Sequence, residues 1–130
     1  MKILLDTHVW LWAILQPQKL ERKAQREIEN PKNERYLSPI SIWEAHHVIR
    51  KKRLRVDRAP SEWLVRALDQ IPVQEAPFSF VVAVETGRIE LPHNDPADLI
   101  IAATASVYGL TLVTADEQLL RCSWLKTLAC

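Results

Sequence analysis

The chain has 130 residues and a formal net charge of +1, with 48% of its residues hydrophobic and 25% charged. That length supports a hydrophobic core without disulfide or zinc staples, and the composition is that of a soluble globular protein, read here as one domain over residues 1–130. Only two glycines occur, Gly87 and Gly109, which excludes Gly-rich phosphate loops, and no apolar run approaches the ~20 residues of a membrane span.

Residues 2–6 (KILLD) read as a short buried strand ending at Asp6. The spacing predicts a helix over 8–15, stopped by Pro17, and a second over 20–30 with Leu20, Ala24 and Ile28 on one face. A brief strand at 35–37 ends at Ser38-Pro39, and Ser41 opens a helix that runs through Trp43, Ala45, Val48 and Ile49 to Arg53. After a break at 57–60 come a helix over 61–70, a short strand at 73–76 and a helix over 78–87 with Gly87 as its C-terminal cap. The loop 90–94 leads to Asp95-Pro96, an N-cap acid followed by proline at the first helical position. The helix that follows is apolar almost all round, so it is expected to be buried; it runs to Tyr108 and ends at Gly109. Residues 110–113 form the next strand, 116–121 a short helix and 124–128 a final edge strand. Strands alternating with helices across short loops predict an α/β fold: a three-layer α/β/α sandwich with a mainly parallel central sheet of four or five strands.

Four acids stand where strands hand over to helices: Asp6, Glu44, Asp98 and Asp116. In such folds ligands bind beyond the carboxyl ends of the strands. Asp6 and Asp116 fall at or just after two strand ends, while Glu44 and Asp98 open helices that follow loops. Carboxylates gathered there repel by about 4 kcal/mol per pair at about 4 Å and an effective dielectric of about 20. A divalent cation is the usual remedy. Three of the four also have a structural explanation. Ser41-x-x-Glu44 reads as a capping box, Asp95-x-x-Asp98 resembles one, and Asp116 can cap its own helix. Asp6, after ILL, has no evident cap to make. Unrelated caps need not fall at one rim of one sheet, so the joint placement points to a site.

The strand ending in LLDT, the mid-chain Ser-x-x-Glu helix, the segment HNDPADLIIAATA and LVTAD together resemble the PIN domain. More narrowly, they are similar to the short PIN proteins that act as VapC-type toxins of bacterial and archaeal toxin–antitoxin pairs. The resemblance runs from Asp6 to the strand near Trp124, and LLDTHVWLW and HNDPADLIIAATA are its most specific parts. It implies hydrolysis of RNA phosphodiester bonds with Mg²⁺ or Mn²⁺, and it places the family's acids on Asp6, Glu44, Asp98 and Asp116. Thr114 then matches a supporting hydroxyl. Asp95 matches an extra acid that caps its helix or holds a water on a second metal. The resemblance also implies a cognate VapB-type antitoxin that wraps the toxin with an amphipathic segment, and a homodimer.

The donor set agrees with that implication, because hard carboxylate oxygens suit Mg²⁺ or Mn²⁺ and disfavour zinc. Asp6, Asp98 and Asp116 are expected to bind metal, and Glu44 either binds it or positions the water as a base. The run RKKRLRVDR at 50–58 sets six basic residues against one acid, leaving eleven Lys/Arg against fifteen Asp/Glu elsewhere. Arg50, Lys51, Arg53 and Arg55 are therefore the expected track for RNA phosphates, with a docking surface for an acidic partner segment as the alternative. Trp10 and Trp12, two apart on one helix, cannot share a narrow buried face, so one is expected to point outward.

The histidines offer rival chemistry. Glu44-x-x-His47 copies half of a di-iron helix motif whose other parts are missing, and the adjacent His46 and His47 cannot face one metal. His8 and His93 are expected at the rim, bonding backbone rather than metal. An Asp-dependent phosphatase would need an acid two residues after Asp6, where His8 stands, and a lysine near the last acids. An inert PIN-like binding module is the other alternative, disfavoured by the presence of all four acids. Cys122 and Cys130 form no CxxC, and MKILLDTH lacks a secretory pattern, so reduced thiols in the cytoplasm are expected.

Overall fold

The computed structural model describes residues 1–130. Thirteen elements follow in chain order: β1 (Lys2–Leu5), α1 (Thr7–Leu15), a single 3₁₀ turn (Pro17–Lys19), α2 (Arg22–Glu29), β2 (Glu34–Leu37), α3 (Pro39–Arg50), α4 (Pro60–Gln70), β3 (Gln74–Glu75), α5 (Phe80–Glu85), α6 (Pro96–Tyr108), β4 (Thr111–Thr114), α7 (Glu117–Leu120) and β5 (Thr127–Ala129). The sheet has five strands in the order β3-β2-β1-β4-β5. Every pairing is parallel.

Side chains alternate across β1, so Ile3 and Leu5 face one layer and Leu4 the other. Ile3 and Leu5 join a core made by Val9, Trp10 and Leu11 of α1, Ala24 and Ile28 of α2, Ala45 and Ile49 of α3, and Leu64 and Ala67 of α4. Leu4 packs with Leu112 of β4 against Ile101, Ala102 and Ala105 of α6 and Leu119 of α7. This is the three-layer sandwich expected from the sequence. The small residues of α6 let it lie close on the sheet, and Gly109 ends it in the left-handed region at φ 64°. No helix is long and apolar enough to cross a membrane, and both cysteines are free thiols.

Four local expectations need correction. α3 starts earlier than predicted: Ser38 is its N-cap, accepting from Ile40 N–H at 3.2 Å, with Pro39 at the first helical position. The helix also ends at Arg50, and residues 51–59 run irregularly past Lys52 at φ 58°. Gly87 is no left-handed cap, because α5 closes at Thr86 in the right-handed region. The last strand lies at Thr127–Ala129 rather than 124–128, at the sheet edge as expected.

Candidate metal centre

β1 and β4 are neighbours at the centre of the sheet, and their onward connections pack on opposite faces. A crevice opens beyond their carboxyl ends, which is where α/β folds of this winding bind ligands. Asp6 follows β1 directly, and its amide donates to Val113 O at 3.0 Å. Thr114 ends β4, and Asp116 lies two residues on. α3 and α6 bring in Glu44, Asp95 and Asp98. Asp6, Glu44, Asp95, Asp98 and Asp116 line one pocket of about 290 Å³ with His8, Trp12 and Ala115.

Asp6 is held at both oxygens. Thr7 N–H donates to Oδ1 at 2.8 Å and the fully buried Thr114 hydroxyl donates to Oδ2 at 2.6 Å. Asp6 is thus the N-cap of α1, a role its sequence context had not suggested. Thr114 Oγ1 also accepts from Asp116 N–H at 3.0 Å, so one hydroxyl links two acids. Asp116 caps α7, accepting from Gln118 and Leu119 amides at 2.8 and 3.2 Å. Asp95 caps α6 through the Ala97 and Asp98 amides at 2.9 and 3.3 Å.

The expected Ser41–Glu44 capping box does not form. Ser41 is buried inside α3, with its hydroxyl 2.9 Å from Thr7 Oγ1, and Thr7 donates its single hydroxyl proton to Glu44 Oε1. Glu44 therefore reaches forward to the crevice, not back to its own helix. The structural explanation that weighed against Glu44 is gone.

The electrostatics are strained. Burial, followed by the charges of Asp6, Asp95, Asp116 and Glu44, pushes Asp98 up to about 8 from 3.8. Burial is also the main cause raising Asp6, opposed by its bonds to Thr114 and Thr7. Glu44 is raised for the same reason, opposed by Thr7. Ligand oxygens of Glu44, Asp95 and Asp98 lie within 4.8 Å of one another, as do the ligand atoms of His93, Asp98 and Asp116. Hard oxygen donors that resist ionisation together fit a hard divalent cation.

His93 is the residue that sequence reasoning undervalued. Its Nδ1 accepts from Asp95 N–H at 3.2 Å, which is the backbone contact expected of a rim histidine. Its Nε2, however, lies 3.3 Å from Asp98 Oδ2 and 3.8 Å from Asp116 Oδ2. Thr7 and Ser41 were likewise missed; the LLDT motif offered a signal for Thr7, but nothing local marked its bond to α3. His8 is exposed at the rim, as expected, while His47 stands edge-on to Trp43 with ring centroids 4.2 Å apart.

A larger groove of about 770 Å³ adjoins the acidic pocket and shares His8, Trp12, Glu44 and Asp95 with it. Trp10 is fully buried while Trp12 lines this groove, as the two-residue spacing required. Of the basic run, Lys51 and Arg53 line the groove. Arg50 and Arg55 are exposed outside it.

The fold and site define an α/β protein with an acidic crevice at the switch point of a parallel sheet. The family model of the PIN domain matches residues 3–125. The chain belongs to the PIN domain family. It is 30% identical over 120 residues to Ribonuclease VapC22 of Mycobacterium tuberculosis, covering 90% of this chain and 88% of that relative. Similar solved structures include VapBC2 of Rickettsia felis bound to a DNA fragment from its promoter (TM-score 0.75, 20% identity, 99% of this chain and 98% of that one). DNA-bound VapBC of Salmonella typhimurium is another, at TM-score 0.72 and 24% identity, again over 99% and 98% of the two chains.

Proposed function

We propose that this protein is a Mg²⁺- or Mn²⁺-dependent endoribonuclease that hydrolyses RNA phosphodiester bonds as the toxin of a toxin–antitoxin pair. The observation that carries the reading is the convergence of five carboxylates on one pocket, with Asp98 pushed to about 8. The ribonuclease name of the 30% identical relative supports the substrate.

Asp6, Asp98 and Asp116 would hold the cation, and Glu44 and Asp95, which line the same pocket, would add ligand oxygens or position its water. A bound cation of this class supplies a water of lowered pKa, offsets charge on the attacked phosphate and aligns the scissile group. Thr114 keeps Asp6 and Asp116 in register through its shared hydroxyl. Thr7 orients Glu44, whose other oxygen is left to accept a proton or a ligand. RNA reaches the acids along the adjoining groove, where Lys51 and Arg53 meet phosphates, with Arg50 and Arg55 flanking it. None of these four cations is engaged in an internal ion pair.

The related structures are complexes of VapB with VapC, which supports a VapB-type antitoxin as partner. The groove between α1 and α3, with Trp12, Leu15, Trp43 and Val48 along it, suits an amphipathic segment of such a partner. A homodimer would cover the exposed apolar face of α5, where Phe80 is 91% exposed beside Val81 and Val84. One 130-residue unit acting in the cytoplasm agrees with its two free thiols.

The test is RNA cleavage by antitoxin-free protein with Mg²⁺ or Mn²⁺. Asp6→Asn and Asp98→Asn should each reduce cleavage at least about 100-fold, as loss of groups acting on the transition state does. Wild-type rates in either variant would refute the site. Failure of Mn²⁺ to bind in calorimetry would favour the inert module instead.

A further inference from the structure

We propose that His93 is a positioning residue whose Nε2–H holds one oxygen of Asp98, leaving the other to face the cation of the acidic pocket. The inference rests on the metal-dependent reading above and extends it to a residue outside the acidic set.

Four of the five carboxylates in the pocket have an oxygen tied to a donor. Asp6 accepts from Thr7 N–H and from the Thr114 hydroxyl. Glu44 accepts from the Thr7 hydroxyl. Asp95 Oδ1 takes the Ala97 and Asp98 amides, and Asp116 Oδ1 takes those of Gln118 and Leu119. The Asp98 carboxyl alone has no such anchor. The side-chain nitrogen that approaches it is His93 Nε2, 3.3 Å from Oδ2.

The backbone sets which ring nitrogen carries the proton. Asp95 N–H points at Nδ1 from 3.2 Å, and a backbone amide can only donate, so Nδ1 offers its lone pair and the proton sits on Nε2. That Nε2–H is buried and has no hydrogen bond of good geometry. Buried donors are rarely left so. It lies between Asp98 Oδ2 and Asp116 Oδ2, which is where an ionised Asp98 needs a donor.

The same tautomer argues against His93 as a ligand. Coordination through Nε2 would require its lone pair and would move the proton to Nδ1, against the Asp95 amide. Asp95 thus does two things at once: its carboxylate caps α6, and its amide sets the ring that serves Asp98, three residues further along the same helix. Donors of this kind, one bond removed from the metal, commonly change metal affinity by about 10–100-fold when deleted.

Calorimetric titration of the full chain with Mn²⁺ tests the role, using wild type, His93→Ala, His93→Phe and His93→Gln, with folding checked by circular dichroism. His93→Phe keeps the packing volume that His93→Ala gives up. The expected result is affinity weakened about 10–100-fold in the Ala and Phe variants and largely recovered by Gln, whose amide can donate from a similar position. In ¹⁵N-histidine spectra the proton should stay on Nε2 with and without Mg²⁺. Unchanged Mn²⁺ affinity in the Ala and Phe variants, or no recovery in Gln, overturns the role and leaves the nuclease reading standing. Transfer of the proton to Nδ1 on adding Mg²⁺ also overturns it, by making His93 a ligand. No Mn²⁺ binding by wild type overturns both this role and the metal-dependent reading.

Discussion

Replacing Asp98 by Asn removes a carboxyl held at about 8 instead of 3.8. The folded protein keeps that proton through a range where the unfolded chain has lost it. A native state that binds more protons loses stability as pH rises, so the metal-free wild type should weaken from about pH 4 up to about pH 8 and then level off. Asp6 and Glu44 are raised as well and act in the same direction. From about pH 4 to 8 the full effect of Asp98 would be about 5.4 kcal/mol, at about 1.36 kcal/mol per pH unit. Water reaching the partly open carboxyl screens this to on the order of 1–2 kcal/mol.

Asn copies the neutral acid. In EDTA at about pH 4, where Asp98 is largely protonated in both the folded and the unfolded chain, Asp98→Asn should therefore match wild type within about 0.5 kcal/mol. At about pH 9 it should be the more stable protein by about 1–2 kcal/mol, or on the order of 5 °C in Tm. Mg²⁺ should reverse the order, since a ligand at about 100 times its Kd adds about 2.7 kcal/mol to the protein that binds it. Urea unfolding followed through the five tryptophans, at both pH values with EDTA or Mg²⁺, reads all of this. A wild type whose metal-free stability is flat between those pH values, or an Asn variant with no advantage at pH 9, would refute the electrostatic account of the pocket.

Thr114→Val keeps the shape and deletes the hydroxyl that serves Asp6 and Asp116, so it should cost about 1–3 kcal/mol in urea unfolding and weaken Mn²⁺ binding by calorimetry. Reversing Arg50, Lys51, Arg53 and Arg55 to Glu should lower RNA affinity and flatten its salt dependence by about 0.7 in log–log slope for each phosphate no longer neutralised. An unchanged slope in filter binding would move the RNA path elsewhere. Gly109→Ala meets no atom within 4 Å, yet at φ +64° it should lose about 1–2 kcal/mol in thermal unfolding and leave RNA cleavage intact.

Features written in short sequence windows were legible. The apolar run ILL before Asp6, Asp95-Pro96 before α6 and Gly109 after it each report a local cause, and each stands where expected. The start of α3 was ambiguous, because two serines compete. Ser38 wins through Pro39, whose fixed φ suits the first helical position, and Ser41 is then carried into the buried interior. What could not be read is the wiring between elements. Thr7 meets Ser41 and Glu44 across separations of 34 and 37 residues, and Thr114 meets Asp6 across 108. His93 has its proton assigned by an amide two residues away, a fact of loop geometry that composition does not encode.

Capping and metal binding looked like competing explanations for the acids, and the residues show that they are not. Asp6, with no evident cap to make, caps α1; Glu44, expected to cap α3, caps nothing. Both reach the same crevice. A capping carboxylate gives one oxygen to amides at the start of its helix and can turn the other outward, and α1, α6 and α7 all begin at this edge with an acid at the cap. The positive ends of those helices favour the negative charge of their caps. Asp98 has no cap to make; its burial, and after that the charges of the other acids, push its carboxyl up to about 8. A cation that enters must displace the Asp98 proton, so metal binding near neutral pH should release protons to the buffer, and the release should fade above about pH 9. The hydrogen bonds that seemed to excuse the acids leave Asp95 and Asp116 an oxygen each beside Asp98, and they fix Asp6 at both of its oxygens in the same pocket.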